Sequence, residues 1–242
     1  MVWAVLAVLL LSGPQGSAPA SGNECATCHL RNAWTQSVTT HVDMWITSRH
    51  AFYRVGCEKC HGGDARTTDQ RIAHRGVLNS AARSSPVSRT AQPATCGRCH
   101  RREANAFEGS VHRALLSQAE TSAPTCTSCH SSMASDVLSP AALETQCRQC
   151  HHGDPQNRAG TARREVEALA RLRLALRRAK LEIDITKDED RKASLTKHWA
   201  ESDRVLRDGM AALHRFDQSG VEDRLSEVRS QIDRLRSAVA GR

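Results

Sequence analysis

Aromatic residues are scarce: four Trp, three Phe and one Tyr in 242 residues. A segment with so few large apolar side chains buries little surface unaided, so something other than side chains must fill its interior. Long apolar runs are missing too. The longest, Val2 to Leu11, is about half of the roughly twenty residues needed to span a bilayer, which argues against a membrane anchor. Cysteine is absent outside five short words, which leaves no thiol for a disulfide framework. Neither cysteine nor proline occurs after Pro155.

What is present is one five-residue word in five copies. They are Cys25-Ala-Thr-Cys28-His29, Cys57-Glu-Lys-Cys60-His61, Cys96-Gly-Arg-Cys99-His100, Cys126-Thr-Ser-Cys129-His130 and Cys147-Arg-Gln-Cys150-His151. Cys-x-x-Cys-His is the attachment signature of c-type haem. The two thiols add across the vinyl groups of one porphyrin, and the next residue is placed under the ring as the proximal iron ligand. Zinc ribbons also use Cys-x-x-Cys, but they need two pairs per metal and five is odd. A thioredoxin-like redox pair occurs once, within a βαβ pattern. The words therefore predict five c-type haems, with His29, His61, His100, His130 and His151 as proximal ligands.

Covalent haem attachment implies export from the cytosol. The run Val2–Leu11, followed by Ser12-Gly13-Pro14 and a small-residue stretch ending Ala18-Pro19-Ala20, reads as a cleaved signal peptide over residues 1–20. The usual positive n-region is missing, since no Lys or Arg precedes Arg31. A periplasmic or otherwise exported protein is expected.

The formal charge of +8 overstates the basicity of the loaded protein. Each ferric c-haem brings about −1 through its two propionates, so five would leave roughly +3. A nucleic-acid role does not follow from the charge. Arg31, Arg54, Arg98, Arg101, Arg102 and Arg148 are expected to neutralise propionates.

The composition changes near Pro155. Residues 21–155 read as a pentahaem cytochrome domain, a thin wrapping of short helices and irregular loops cored by haem. Residues 161–242 read as a helical domain. Val166, Leu169, Leu172, Leu176, Ala179 and Ile183 recur at steps of three and four. A second run carries Leu195, Trp199, Leu206, Met210 and Leu213, with its cap expected within Thr186–Asp190. Gln218-Ser219-Gly220 reads as a turn, with Ser219 and Glu222 as a capping box for a third run from Val221 to Val239. The expected fold is mainly α with much irregular structure: a haem-cored domain followed by a long-helix hairpin or three-helix bundle. The seam of the third run suits either internal packing or a dimerisation arm.

Seven histidines lie outside the words: His41, His50, His74, His112, His152, His198 and His214. A second axial His closes an iron for electron transfer, whereas an open position suits substrate binding. Seven candidates for five irons suffice to close every one.

Ser48-Arg49-His50, followed by Gly56-Cys57-Glu58-Lys59-Cys60-His61-Gly62-Gly63-Asp64, resembles the periplasmic multihaem cytochromes c. That group includes tetrahaem electron carriers, pentahaem nitrite reductases and hydroxylamine oxidoreductases. Ser110-Val111-His112 repeats the Ser-x-His cue, and Ile72-Ala73-His74 resembles a distal-ligand position of the group. So does His214, within Asp208-Gly209-Met210-Ala211-Ala212-Leu213-His214. The resemblance implies distal ligation by His50, His74, His112 and His214, with His41 and His198 competing for the fifth place. His152 directly follows a proximal His, and in small tetrahaem cytochromes of sulfate reducers such a residue serves a neighbouring haem.

Departures from the enzymes are equally informative. The nitrite reductases place Lys in a Cys-x-x-Cys-Lys word, and all five words here end in His. Hydroxylamine oxidoreductases use a cross-linking Tyr near the C-terminus, and the only Tyr here is Tyr53. The expected function is electron transfer between redox partner proteins, among them a membrane quinol-oxidising complex or a terminal reductase. A homo-oligomer through the C-terminal helices is a further expectation. The alternative is an oxidoreductase with one open haem acting on nitrite, hydroxylamine or a sulfur oxyanion, for which Lys59, Arg98 or an unligated His would supply the acid–base group.

Overall fold

The computed structural model describes residues 22–32, 36–118 and 122–240. The expected signal peptide lies outside them. Among the described residues the chain is helical without strands, apart from a single antiparallel bridge between His130 and Val137.

Ten short helices form the N-terminal part: α1 (Glu24–Arg31), α2 (Gln36–Ile46), α3 (Arg49–Phe52), α4 (Glu58–His61), α5 (Gln70–Ala73), α6 (Gln92–Gly97), α7 (Arg101–Glu108), α8 (Val111–Ser117), α9 (Cys126–Cys129) and α10 (Pro140–Arg148). Many of their starts are set by short polar side chains that accept from otherwise orphaned amides. Asn23 accepts from Ala26, Ser48 from Ala51, Asp69 from Arg71 and Ile72, Ser110 from Arg113, and Ser139 from Ala142. The Ser-x-His cues are thus helix starts, with Ser48 and Ser110 as caps and each His in the first turn.

Side-chain cores here are small. Ala26, Val42 and Trp45 form one cluster; Phe107, Leu116 and Ala123 form another. At about 1.5–3 kcal/mol for each large apolar side chain buried, neither cluster can organise the N-terminal part against its conformational entropy. The scarcity of aromatics is visible directly as missing core.

Three long helices follow: α11 (Arg158–Asp184), α12 (Glu189–Arg215) and α13 (Gln218–Val239). They form a three-helix bundle with one continuous core that includes Leu169, Leu176, Ile183, Leu195, Val205, Leu206, Leu225, Val228, Ile232 and Leu235. The apolar seam of α13 is consumed inside this bundle: Val221, Val228, Ile232 and Leu235 are at most 2% exposed. Trp199 packs against the core and donates its indole N–H to the carbonyl of Leu176 at 2.9 Å. Gly209 sits where the helices approach closely; a Cβ there would lie 3.2 Å from that of Arg224 and 3.4 Å from Leu169 Cδ2.

The helix boundaries differ in detail from the sequence expectation. The first long helix begins at Arg158, capped by Asn157, ahead of Thr161. Asp188 caps α12 by accepting from Arg191, within the expected segment. The third helix starts at Gln218, because Asp217 accepts from Gly220 and takes the capping role expected of Ser219. A carboxylate two residues earlier outcompetes the hydroxyl as the cap.

The bundle grips the N-terminal part along two seams. Arg102 of α7 pairs with Asp208 of α12. Glu144 of α10 pairs with Arg148 of its own helix and with Arg163 of α11, and these guanidiniums hold its carboxyl below the usual carboxylate range.

Candidate haem-binding sites

Each word is one turn of helix or a tight continuation of one. The amide of His61 donates to the carbonyl of Cys57 at 2.9 Å, His100 to Cys96 at 2.9 Å, His130 to Cys126 at 3.0 Å and His151 to Cys147 at 3.0 Å. The first word lies wholly within α1. Residues three and four apart share a helix face, so both thiols and the imidazole of a word project to the same side. That is the physical reason for the spacing. None of the ten cysteines is in a disulfide. Burial pushes the Cys57 thiol up to about 12 and that of Cys129 up to about 11.

Opposite four of the words stands a histidine from elsewhere in the chain. The ring centroids of His29 and His74 are 5.9 Å apart, those of His100 and His50 6.1 Å, those of His151 and His112 6.1 Å, and those of His130 and His214 6.2 Å. The interplanar angles of these pairs run from 16° to 78°. Ordinary aromatic contacts vary in distance, and the other ring pairs among the described residues range from 4.1 Å to 6.5 Å. A constant separation at any angle is instead what two imidazoles on one metal show. Two metal–nitrogen bonds of about 2 Å each, plus about 1 Å from each nitrogen to its ring centre, give about 6 Å with free rotation about the axis. The residues therefore fit axial ligation of haem iron.

For the remaining word the nearest candidate is His41, which is exposed and makes no ring contact with His61 among the described residues. His41, on α2, lies close enough to His61 to help lower its pKa, behind the larger effect of burial. Burial likewise lowers His29, His50, His112 and His130, each with a further push from the imidazole it faces. Neutral imidazole is the ligating form.

The rings that face the words are oriented from behind. His74 Nδ1 donates to the carbonyl of Gln70 at 2.9 Å, and His214 Nδ1 to that of Met210 at 2.7 Å. A carbonyl only accepts, so both bonds place the proton on Nδ1 and leave Nε2 free for a metal. His50 Nδ1 meets the Ser135 hydroxyl at 2.9 Å. His112 is held by packing: Phe216, in a left-handed conformation at the end of α12, stands edge-on to it at 4.1 Å, and its buried Nδ1 has no hydrogen-bond partner. Sequence reasoning missed Ser135 and Phe216. No local pattern marks either, since both act on histidines far away in the chain.

The path that delivers His74 is set by two glycines after the second word. Gly62 and Gly63 have φ of +77° and +83°, which L side chains rarely adopt. At Gly63 a Cβ would also fall 2.3 Å from the carbonyl of Ala73. The chain turns back there, the amide of Asp64 donates to Ala73 at 3.1 Å, and α5 lies where His74 reaches the first word.

Consecutive words are neighbours in space. The amide of Glu24 donates to the carbonyl of Ala65 at 2.8 Å, and the Asn23 side chain donates to Glu58 at 3.0 Å, joining the first word to the second. The Arg98 guanidinium donates to the carbonyl of Lys59, joining the second to the third. The Thr127 amide donates to the Gln92 side chain at 3.2 Å, and the Cys96 and Cys126 thiols share a hydrogen bond that raises Cys96 and lowers Cys126. In the last step α9 packs against α10. A cleft of about 830 Å³, lined by Trp45, Ser48, Ala51, Gly56 and Asp64 among others, opens beside the first two words.

Some expected residues are engaged elsewhere. Arg102 and Arg148 are paired with carboxylates and Arg98 with a carbonyl, whereas Arg31, Arg54 and Arg101 are exposed. Lys59 is exposed beside Glu58. His152 and His198 are exposed, and the structure does not bring either to face a word.

Among known proteins, the family described as cytochrome c554 and c-prime matches residues 14–62, a stretch that holds the first two words, His41 and His50. No curated protein and no solved structure matches the chain. With the repeated words and their facing imidazoles, the match supports a c-type cytochrome that holds haem covalently.

Proposed function

We propose that this protein is an exported five-haem electron carrier with every iron closed by two histidines. The proposed pairs, proximal first, are His29/His74, His61/His41, His100/His50, His130/His214 and His151/His112. The observation that carries the reading is the recurrence of one imidazole separation, between 5.9 Å and 6.2 Å, at four words.

Bound haem supplies a one-electron Fe(III)/Fe(II) couple. The chain's own residues would attach it through the ten cysteines and hold the facing imidazoles neutral and aimed, with successive words side by side. Hydrogen bonds on Nδ1 of His74 and His214 raise ligand basicity and so favour the ferric state at those sites. The partners under this reading are redox proteins of the periplasm or its membrane, such as a quinol-oxidising complex as donor and a terminal reductase as acceptor. Contacts with them would be brief and small. An enzyme with an open haem is not favoured, because four of the five proximal histidines face a second imidazole and His41 is a candidate for the fifth.

The test is an EPR and optical spectrum of the ferric holoprotein, repeated with nitrite and, after reduction, with carbon monoxide. Low-spin signals alone, unmoved by either ligand, are expected. A high-spin signal that shifts on ligand addition would overturn the carrier reading in favour of the oxidoreductase.

A further inference from the structure

The first helix of the bundle is apolar on two opposite sides. Its inner side carries Leu169, Leu176, Ala179 and Ile183, all buried in the core. Its outer side carries Leu174, Leu181 and Ile185, the last being its cap, which are 50%, 67% and 79% exposed. These three are seven and four residues apart, so at about 100° per residue they fall in one stripe. Internal packing does not use this stripe.

Charge is arranged around it. From Ala168 to Leu181 there are five basic residues and no acid, with Glu167 just before this run and exposed Glu182 just after it. On the helical wheel Arg173 and Arg177 flank one side of the stripe, and Arg171 and Arg178 the other. All four are exposed. Arg171 pairs with Glu167 at 3.8 Å, while Arg173, Arg177 and Arg178 make no ion pair among the described residues. The nearby Asp184 is held by Lys180.

We propose that this outer face of α11 is a docking surface for an anionic lipid bilayer. An aliphatic spine with arginines on both flanks is the pattern of a helix lying in a membrane interface: the aliphatic tips enter the acyl boundary while the guanidiniums meet phosphates. The outer face of a helix is convex, which suits a plane better than a pocket. A second copy would set arginine against arginine, so self-association through this face is disfavoured. No helix among the described residues is long and apolar enough to cross a membrane, so contact through this face is peripheral. Fixed on the bundle, the face would keep the haem words beside the surface where membrane redox partners lie.

The experiment is co-sedimentation of the purified holoprotein with vesicles of phosphatidylcholine alone, or with about one third phosphatidylglycerol. Binding is expected only to the anionic vesicles, with loss at about 0.5 M salt. R173Q/R177Q should weaken it about fivefold per arginine removed, and L174S/L181S should weaken it at least about tenfold. An unchanged Soret spectrum and helical CD show that both variants are folded. The proposal is overturned if anionic vesicles do not bind the wild type at low salt. It is also overturned if L174S/L181S binds normally, since the attraction would then be general basicity or a face meant for an acidic protein. The haem count and spin state do not enter this readout, so it stands or falls apart from the carrier reading.

Discussion

At the scale of single residues, the proposed ligation gives histidine two jobs and separates them by context. A word histidine is placed by its own helical turn, so its position follows from four preceding residues. A distal histidine is placed by tertiary structure: His74 by the Gly62–Gly63 reversal, His50 by a hydroxyl 85 residues away, His112 by an aromatic edge from the far end of α12. That difference explains what can be read in advance. The words are legible without any fold, whereas which spare histidine faces which word depends on the whole path of the chain. His41 and His198 look alike in sequence and both are exposed, yet only His41 is near enough to His61 to help lower its pKa, behind the larger effect of burial. Replacement separates the classes. H74A, H50A or H112A should each convert one haem to a high-spin, carbon-monoxide-binding form, while H198A and H152A should leave the EPR spectrum unchanged. A wild-type spectrum in H74A would remove that histidine from the ligand set.

At the scale of elements, the long helices are legible because their cores obey one period over many turns, and their ends less so because nearby polar residues compete for the same amides. The bundle also contains a group that its own pattern does not explain. Glu165 on α11 is 5% exposed, and its Oε1 has no hydrogen-bond partner. Burial, reinforced by Glu222 and Asp217 and only partly opposed by Arg164, raises its pKa to about 7. The sign follows from linkage. An acid with a raised folded-state pKa costs nothing below its unfolded value near 4.5; the penalty grows as pH rises toward 7 and is complete above it. The bundle should therefore be more stable at pH 5 than at pH 8 through this group. Glu165→Gln should remove that slope and stabilise the protein at pH 8 by about 1–2 kcal/mol, after allowing for solvent screening. Urea unfolding of wild type and variant, followed by helical CD at both pH values, measures it. Equal midpoints at pH 8 would mean that Glu165 finds water or a cation.

At the scale of the whole molecule, two parts of one chain are stabilised by different physics. The bundle has a continuous side-chain core, while the N-terminal part has two clusters of three buried residues and, in the proposed holoprotein, depends on its haems for the rest. Ligation would make that dependence long-range. His214 faces His130, and Phe216 covers His112, so the end of α12 reaches two words at once. Each facing pair closes a loop of chain, and a metal that holds only the folded form adds its binding energy to folding. Roughly half of the helical residues lie in α11–α13. Protein made without haem should thus keep about half of its helical CD signal and melt as the bundle alone, with residues 22–155 open to protease. The holoprotein should resist cleavage throughout. Full helicity in the haem-free protein would show that the short helices carry their own stability. Loss of all helicity would show that the bundle, despite its core, needs the contacts through His214, Phe216 and the Arg102–Asp208 pair to fold.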